Sequence, residues 1–147
     1  MTEQLPCILY AEDDPNDIVL FQIALDKASL PVQAAFVSDG GAAIDYLSGA
    51  SSFNDRERYP LPQLIVLDLK MPRKSGFDVL EWLRDRPELA SIPTIILSSS
   101  EYPEDRARAL SLGAKDYHVK PLTNTELSEL LQHLCSEWLH EAKTVKC

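Results

Sequence analysis

The sequence lacks any run of apolar residues as long as a membrane span, which needs about 20 consecutive residues in a helix. Its first six residues, MTEQLP, also lack the basic segment with which secretory signal peptides begin. Both absences argue against insertion into a membrane or transport across one. We therefore expect a cytoplasmic protein that is not attached to a membrane.

Cysteine is scarce, and the three residues of this type are widely separated: Cys7, Cys135 and Cys147. They form no C-x-x-C pair and no cysteine and histidine cluster, so the spacing typical of zinc sites is absent from the sequence. Their low number fits a reducing compartment, and we interpret all three as structural or incidental. The three histidines are similarly scattered and are interpreted as structural or solvated: His118, His133 and His140.

Basic residues are few, because the chain has 14 lysines and arginines against 23 aspartates and glutamates, for a net charge of −9. Binding to nucleic acids and to anionic membranes depends largely on neutralising phosphates with lysine and arginine. We therefore expect no nucleic-acid partner and no membrane partner for this chain.

Internal repeats, low-complexity tracts and a linker to an output domain are also absent from the sequence. With 147 residues, of which 45% are hydrophobic, the chain can bury one sizeable core but hardly two. We predict a single domain over residues 1–147, with its core at about 6–140 and a short C-terminal tail.

Strand-like and helix-like stretches alternate five times along the chain. The predicted strands cover residues 8–11, 32–37, 64–67, 94–97 and 117–119. Regular alternation of this kind is typical of a parallel sheet with helices on both faces. We predict an α/β fold, a doubly wound, five-stranded parallel sheet built from five βα units.

Capping residues mark the ends of several predicted helices. Asp14 is the predicted N-cap of the first helix, which has Pro15 in its first turn. Gly113 suits the left-handed position that follows the end of the fourth helix. The last helix opens with Thr123 and Glu126, which are spaced as a capping box.

Residues 48–62 form a longer connection than the roughly two to six residues that usually join a helix to the next strand. The segment is rich in polar and charged residues, with Phe53 and Tyr59 as two aromatic anchors. We predict a polar surface insertion, and we favour a solvated loop over a surface that binds a partner.

Acidic residues follow two of the predicted strands. Glu12, Asp13 and Asp14 come directly after the first strand, and Asp68 ends the third. The carboxyl ends of parallel strands meet at one edge of the sheet, where open α/β folds bind their ligands. Carboxylates crowded at this edge repel one another unless a cation binds, and Mg²⁺ prefers such hard oxygen ligands. The pattern predicts a metal-dependent phosphoryl acceptor.

Two other strand ends supply a hydroxyl and an ammonium group. Ser98 follows the fourth strand, and Lys120 follows the fifth. A phosphoryl group on Asp68 would bring about two negative charges to this edge. Phosphoryl transfer is catalysed mainly by positioning and charge stabilisation, so carboxylates, a metal, a hydroxyl and a lysine are a sufficient set.

This ordered set of residues resembles the response-regulator receiver domains of the chemotaxis-regulator type. The similarity covers nearly the whole chain and rests on motifs at the strand ends: Glu12-Asp13, Asp68, Met71-Pro72, Gly76, Ser98 and Lys120-Pro121. It implies the flavodoxin-like strand order 2-1-3-4-5 and a stand-alone phosphoacceptor in a two-component phosphorelay. The donor would be a sensor histidine kinase, and the chain would not be an enzyme that acts on a separate substrate.

The resemblance also implies a role for each acidic residue. Asp68 is the expected phosphoacceptor, which attacks a phosphohistidine and forms an acyl phosphate. Mg²⁺ is the expected cofactor, bound directly by Asp13 and Asp68 and through water by Glu12. The backbone carbonyl of Lys70 would complete the protein ligands. Asp14 falls outside the acidic pair of the family and is assigned to the helix cap.

Three further residues stand at family positions that respond to phosphorylation. Ser98 corresponds to the hydroxyl that moves toward the phosphoryl group, and Lys120 to the lysine that pairs with that group. Tyr117 corresponds to an aromatic switch that turns inward on activation, and the peptide before Pro121 would be cis. These changes would alter the surface formed by the fourth helix, the fifth strand and the fifth helix.

Lys70 has two interpretations. In the receiver family, its position and that of Ser100 influence how water reaches the phosphoryl group. Lys70 would then lie over the acyl phosphate and alter its lifetime, or it is a surface lysine that points to solvent. Both interpretations remain open at the level of the sequence.

Three other functions share parts of the pattern. A pseudo-receiver would use the same fold only to bind partners. A phosphatase of the haloacid-dehalogenase kind also uses an aspartate nucleophile, but it needs a second aspartate two residues on, where this chain has Lys70. A flavodoxin-like electron carrier would bind a phosphate after the first strand, where Glu12, Asp13 and Asp14 would repel it.

The insertion and the tryptophan-bearing last helix also resemble single-domain regulators that are paired with bacterial phytochromes. In those relatives, the face from the fourth to the fifth helix and the C-terminal extension can form a homodimer. Leu134, Trp138 and Leu139 could supply apolar contacts to a homodimer, although burial within the monomer accounts for most of them. The sequence identifies neither the kinase nor the downstream target.

Overall fold

The computed structural model describes residues 5–139, which form one sheet and the helices around it. The strands are β1 (Cys7–Ala11), β2 (Gln33–Val37), β3 (Leu64–Leu67), β4 (Thr94–Ser98) and β5 (Asp116–Val119). The helices are α1 (Pro15–Ala28), α2 (Gly40–Ser48), α3 (Gly76–Arg84), α4 (Pro87–Ala90), α5 (Pro103–Ser111) and α6 (Asn124–Trp138), with one 3₁₀ turn at Ser51–Phe53. Each predicted strand is present, with ends that differ by one residue or match.

The five strands lie in the order β2-β1-β3-β4-β5, and every neighbouring pair is parallel. This confirms the predicted flavodoxin-like sheet. The chain reverses its direction of winding between β1 and β3, which are neighbours in the sheet. Such a reversal opens a crevice at the carboxyl ends of the two strands, and the acidic residues follow these two strands.

Each face of the sheet is covered by its own set of helices. On one face, α1 and α6 pack together over apolar side chains that include Ile8, Tyr10, Val66, Leu131 and Leu134. On the other face, α2, α3 and α5 cover a second apolar cluster that includes Leu9, Ile65, Leu67, Val79 and Ile96. β1 and β3 are buried along their whole length, as central strands of a parallel sheet should be.

The helix ends follow the sequence signals with one exception. Asp14 caps α1, because its carboxylate accepts a 2.9 Å hydrogen bond from the amide of Asn16. Gly113 has a φ of 114°, a conformation that glycine adopts without strain. The capping box at α6 is only half formed: Thr123 accepts from the amide of Glu126, but the Glu126 carboxylate accepts from the Thr123 hydroxyl.

The short helix α4 has no counterpart in the sequence prediction. It spans four residues, which is too short for the periodic pattern that reveals an amphipathic helix. Its sequence signal is Pro87, which fits the first turn of a helix. A reading based on apolar periodicity therefore treats this stretch as part of a loop.

The insertion before β3 is attached to α2 by aromatic and polar contacts. The rings of Tyr46, Phe53 and Tyr59 pack against one another, with centroids 5.1 to 6.0 Å apart. Arg56 donates hydrogen bonds of 2.9 and 3.0 Å to the carbonyl oxygens of Tyr46 and Leu47 at the end of α2. The insertion thus closes the carboxyl end of a helix with a side chain.

The structure locates two of the three cysteines and the apolar residues of the last helix for which dimer contacts were considered. Cys7 and Cys135 are buried and form no disulfide bond within the described residues, whereas Cys147 and His140 lie outside them. Leu134 and Leu139 are buried in the core between α6 and its neighbours. Within residues 5–139, no helix combines the length and the apolar character needed to cross a membrane.

Candidate functional site

Three carboxylates meet at the carboxyl ends of β1 and β3. Glu12 and Asp13 follow β1 directly, and the amide of Glu12 continues the sheet by donating to the carbonyl oxygen of Val37. Asp68 follows β3, and its amide donates to the carbonyl oxygen of Ala11 at 3.0 Å. One carboxylate oxygen from each of Glu12, Asp13 and Asp68 lies within 4.8 Å of the others. The structure thus brings together the three acids that the sequence predicted to share one edge.

Glu12 is buried and held at both of its carboxylate oxygens. The hydroxyl of Tyr10 donates to Oε1 and the amide of Asp14 donates to Oε2, each at 3.0 Å. Burial raises the pKa of the Glu12 carboxyl, and the hydrogen bond from Lys120 opposes part of that rise. Glu12 is therefore held in one orientation, whereas the neighbouring Asp13 is exposed.

Asp68 is buried with its carboxylate oriented by two donors. The amide of Leu69 donates to Oδ1 at 2.7 Å, and the ammonium of Lys120 lies 3.2 Å from Oδ2. The chain after Asp68 turns back tightly and brings Gly76 against it. A Cβ atom added at Gly76 would overlap with the backbone carbonyl oxygen of Asp68. Glycine at this position permits α3 to begin directly against the acid.

Lys120 joins the acids of the two strands to α1. Its Nζ lies 2.6 Å from Glu12 Oε1, 2.7 Å from Asp17 Oδ2 and 3.2 Å from Asp68 Oδ2. Burial alone would lower the pKa of the Lys120 ammonium, but the hydrogen bonds to Asp17 and Glu12 and the nearby charge raise it well above its usual value. Lys120 is therefore a permanent cation within the acidic cluster.

Asp17 is a residue of this cluster that the sequence reading missed. It lies in the first turn of α1, where an acidic residue is usually explained by the helix dipole. Its distance from Lys120 is 103 residues along the chain, so no local pattern links the two. The only signal was its spacing of one helical turn from the acidic residues that precede the helix.

Ser98 is buried at the end of β4, next to the loop that leads into α5. Its hydroxyl accepts a 3.1 Å hydrogen bond from the amide of Ser100, and its carbonyl oxygen accepts from the amide of Lys120 at 2.8 Å. These contacts tie the carboxyl ends of β4 and β5 together. The predicted approach of the Ser98 hydroxyl to a phosphoryl group stays a prediction.

Tyr117 is turned inward and bonded to the same loop. Its buried hydroxyl donates to the carbonyl oxygen of Ser100, and the guanidinium of Arg106 donates to the carbonyl oxygen of Tyr117 at 3.1 Å. Ser100 in turn donates a 2.6 Å hydrogen bond to the carboxylate of Asp105 in α5. The loop between β4 and α5 is thus connected to β5 through Tyr117 and to α5 through Asp105.

One sequence prediction at this edge concerns the peptide before Pro121. The peptide before Pro121 was predicted to be cis, and this is wrong for the structure, in which no peptide bond of residues 5–139 is cis. The trans form is the favoured one even before proline, by about 0.5 to 1 kcal/mol.

Lys70 is exposed. The predicted contribution of its carbonyl oxygen to a metal site stays a prediction.

The acidic cluster fits a divalent cation such as Mg²⁺. Opposite ligands of octahedral Mg²⁺ are about 4.2 Å apart, given metal to oxygen distances of about 2.1 Å. The carboxylate oxygens of Glu12, Asp13 and Asp68 lie within 4.8 Å of one another, so a small inward movement would suffice. Both oxygens of Glu12 are already bonded to protein donors, which suits a ligand that acts through water.

A sequence profile described as the response regulator receiver domain matches residues 8–132 of this chain. The chain is also similar to response regulator Rcp1 of Synechocystis sp., with 31% identity over 132 residues that cover 90% of this chain and 88% of Rcp1. A crystal structure of Rcp1 with bound Mn²⁺ matches with a TM-score of 0.79 and 30% identity, over 91% of this chain and 94% of the other.

Two other solved structures are similar over nearly the whole chain. Response regulator RPA3017, described in red light signalling of R. palustris, has a TM-score of 0.86 and 35% identity, and the match covers 91% of this chain and 94% of the other. The phosphorylated cyanobacterial phytochrome response regulator RcpA has a TM-score of 0.83 and 30% identity, over 93% of this chain and 95% of the other.

Proposed function

The chain belongs to the response regulator receiver family, and on that premise we propose that Asp68 is the residue at which it accepts a phosphoryl group in two-component signalling. The observation that carries the proposal is the position of the Asp68 carboxylate, within 4.8 Å of two other carboxylates and 3.2 Å from the Lys120 ammonium. A nucleophile, a cation and oxygen ligands for a metal therefore share one site.

The proposed step is an in-line displacement at phosphorus. Oδ2 or Oδ1 of Asp68 forms a bond to phosphorus as the bond from phosphorus to the imidazole nitrogen of a phosphohistidine breaks. That nitrogen takes the electron pair of the broken bond, and because the other ring nitrogen carries a proton taken from solvent, the histidine leaves as neutral imidazole. Lys120 stabilises the charge on the phosphoryl oxygens, because its ammonium already lies beside Asp68. The chain thus acts as a signalling protein rather than a classical enzyme.

A divalent cation is part of the proposal. Receiver domains bind Mg²⁺ or Mn²⁺ in their acidic pocket, and here Asp13 and Asp68 would bind Mg²⁺ directly, with Glu12 acting through water. The backbone carbonyl of Lys70 would be the remaining protein ligand. When bound, the ion supplies positive charge at the phosphoryl oxygens and offsets the repulsion between the carboxylates.

Ser98 and Tyr117 form the proposed response to phosphorylation. The Ser98 hydroxyl would move toward the phosphoryl group and exchange its hydrogen bond from the Ser100 amide for one to a phosphoryl oxygen. Ser100 also accepts from the Tyr117 hydroxyl, so a shift of this loop changes the surface around α5, β5 and α6. Phosphorylation would then bias two arrangements of that surface.

A small-molecule phosphodonor tests the proposal directly. We expect acetyl phosphate with Mg²⁺ to add one phosphoryl group, detected by intact mass, and we expect Asp68→Asn or removal of Mg²⁺ to prevent it. Asp45→Asn is the matched control, because Asp45 is an exposed aspartate of α2 away from the site. Modification that persists in Asp68→Asn would overturn the proposal, and absence of modification in the wild type would favour the pseudo-receiver alternative.

We also propose that the phosphodonor is a histidine kinase of the bacterial phytochrome type, which the chain would meet in the cytoplasm. The support is the similarity to RPA3017 and RcpA, which are described in red light and phytochrome signalling. A purified bacteriophytochrome kinase should transfer its phosphoryl group to this chain faster than an unrelated sensor kinase does. Equal rates from both kinases would contradict this assignment.

The surface of α1 next to the site is the proposed contact for the kinase. A donor imidazole must approach Asp68 from the edge that carries the strand ends, and exposed apolar side chains lie beside that edge at Val19, Leu20, Ile23 and Leu122. The side chain of Asn124 donates to the carbonyl oxygen of Leu20 at 3.0 Å, so the start of α6 and the middle of α1 are adjacent.

A homodimer is a further proposal, and it would use side chains other than the buried Leu134 and Leu139. Exposed apolar residues on the surface of α5 and β5 include Leu110 and Val119. Light scattering with and without beryllofluoride, a phosphoryl mimic, tests it: we expect the dimer in the presence of the mimic. A monomer under both conditions would exclude the dimer.

A further inference from the structure

The Asp17 carboxylate holds the Lys120 ammonium at the α1 side of the site. Its Oδ2 accepts a 2.7 Å hydrogen bond from Lys120 Nζ, and this is the one hydrogen bond of the Asp17 side chain in the part of the chain that the structure describes. The Asp17 side chain is about one third exposed, at 29% of its maximal accessible area. Loss of Lys120 would therefore leave Asp17 in contact with water rather than buried without a partner.

The three carboxylates around Lys120 are not equivalent. An ammonium group has three N–H donors, and Lys120 directs them at Glu12, Asp17 and Asp68. Glu12 also accepts from Tyr10 and Asp14, so it is satisfied and fixed with or without Lys120. The contact to Asp68 is the longest of the three, at 3.2 Å. Asp17 is thus the partner that keeps the ammonium on the α1 side of the site and that can be exchanged.

A phosphoryl group on Asp68 would change this balance. The acyl phosphate carries about two negative charges where the Asp68 carboxylate carried one, beside an ammonium that also faces Glu12 and Asp17. Lys120 has no fourth donor, so a hydrogen bond to a phosphoryl oxygen requires that one existing contact be given up. Of the two short contacts, the one to Asp17 costs less to break than the one to the buried Glu12, because the released Asp17 carboxylate becomes hydrated.

We propose that Asp17 is a positioning residue that holds Lys120 away from the phosphoryl site and is displaced when the phosphoryl group binds. This inference rests on the proposed phosphorylation of Asp68. Asp17 touches neither the phosphoryl group nor the metal and acts only through Lys120. Its carboxylate therefore opposes the phosphorylated state and favours the free one.

The opposing interpretation is purely structural. An acidic residue in the first turn of a helix stabilises that helix through the positive end of its dipole. In that case a substitution at Asp17 would lower the melting temperature without any change at Lys120. The two interpretations differ in what they predict for the lysine, which is the group to observe.

Asp17→Asn separates the interpretations, because asparagine keeps the shape of the side chain and removes its charge. With Mg²⁺ present, we expect the variant to bind beryllofluoride about twofold to tenfold more tightly than the wild type in calorimetry, as loss of a partly exposed ion pair permits. Asp17→Glu should restore binding toward the wild-type affinity. Asp26→Asn is the matched control, since it removes the same charge from the far end of α1.

A second measurement follows the lysine itself. The Cε resonance of Lys120, assigned with Lys120→Arg, should move when beryllofluoride binds to the wild type. In free Asp17→Asn we expect it to lie displaced toward that bound position, and in free Asp26→Asn we expect it at the wild-type position. Unchanged affinity together with an unchanged Lys120 resonance in Asp17→Asn would overturn the inference, as would an equal gain in affinity from Asp26→Asn.

The outcomes also distinguish this inference from the proposed function. If acetyl phosphate modifies wild type but not Asp68→Asn, the proposed function holds whatever Asp17→Asn does. If Asp17→Asn then behaves as wild type, only the role of Asp17 fails. If wild type binds no phosphoryl mimic and is not modified at Asp68, both fail together.

Discussion

The hydroxyl of Tyr117 donates a 2.9 Å hydrogen bond to the carbonyl oxygen of Ser100, two residues beyond the end of β4. The ring is buried, so the tyrosine is turned inward. The contact joins β5 to the loop that follows Ser98, the residue with the predicted phosphate-sensing hydroxyl. A switch at this position would need this bond to break or to strengthen as the loop moves.

Tyr117→Phe should therefore lower the free energy of unfolding by about 1 kcal/mol, the usual net contribution of one hydrogen bond. Urea denaturation measures the change, and the slope of the transition should stay constant. Tyr102→Phe serves as the control, because Tyr102 is exposed and should tolerate the change. Equal midpoints for Tyr117→Phe and wild type would show that the bond adds nothing to stability.

Gly76→Ala should disturb both folding and phosphorylation. An added Cβ would overlap with the backbone carbonyl oxygen of Asp68, so the loop between β3 and α3 must shift. We expect a loss of about 1 to 3 kcal/mol in stability and slower modification by acetyl phosphate. Gly41→Ala is the matched control in the first turn of α2, where the nearest atom is a movable carboxylate oxygen of Asp39 at 3.2 Å. Modification of Gly76→Ala by acetyl phosphate at the wild-type rate would contradict the prediction.

Arg73→Met should make stability depend less on pH in the acid range. The guanidinium of Arg73 pairs with the buried carboxylate of Asp39, which also accepts from the amide of Ala42 at the start of α2. Burial would raise the pKa of Asp39, but these hydrogen bonds and the charge of Arg73 outweigh it and hold that pKa below its usual value. The folded form thus binds the Asp39 proton more weakly than the unfolded form does.

The sign of the effect follows from this difference. The contribution of Asp39 to stability is fully present above its unfolded pKa of about 3.9 and is lost as the pH falls through its lower folded pKa. Arg73→Met should be less stable than wild type at pH 7, and the two stability curves should converge in acid. Lys74→Met removes the same charge from a neighbouring residue, and its curve of stability against pH should run parallel to that of wild type. Parallel curves for Arg73→Met would contradict the prediction.

Val19→Gln should slow transfer from a histidine kinase and leave modification by acetyl phosphate unchanged. Val19 is exposed on α1 beside the phosphorylation site, and a polar amide there reduces the apolar contact available to a partner. Rates of transfer from a purified bacteriophytochrome kinase measure the effect, for which we expect about a tenfold loss. Leu61→Gln, an exposed leucine in the insertion, should transfer at the wild-type rate. Equal losses with both phosphodonors would indicate a damaged site instead.

Most of the fold followed from the sequence because its signals are local. Largely apolar runs of three to six residues, each followed by a polar residue, identified the strands and their shared edge. The order of the sheet came from the family resemblance rather than from the pattern. The predicted meeting of three acids is confirmed for Glu12, Asp13 and Asp68, because residues that directly follow neighbouring parallel strands lie at the same edge of the sheet.

The remaining features depend on contacts between distant residues. Asp17 and Lys120 are 103 residues apart, and Asp39 and Arg73 are 34 residues apart, so neither pair leaves a periodic trace in the sequence. The short helix α4 is below the length at which periodicity is informative. The capping box at Thr123 formed only in part, because the Glu126 side chain bonds to the threonine hydroxyl instead of the backbone.

The contact between Arg56 and the end of α2 limits how this domain can be recombined. The guanidinium satisfies carbonyl oxygens that a shorter connection would leave to solvent, so the helix and the insertion form one exchangeable unit. A chimera that takes α2 from this chain and the following segment from a relative would join a helix end to a loop that lacks its cap. Crossover points placed before Gly40 or after Pro62 keep the two together.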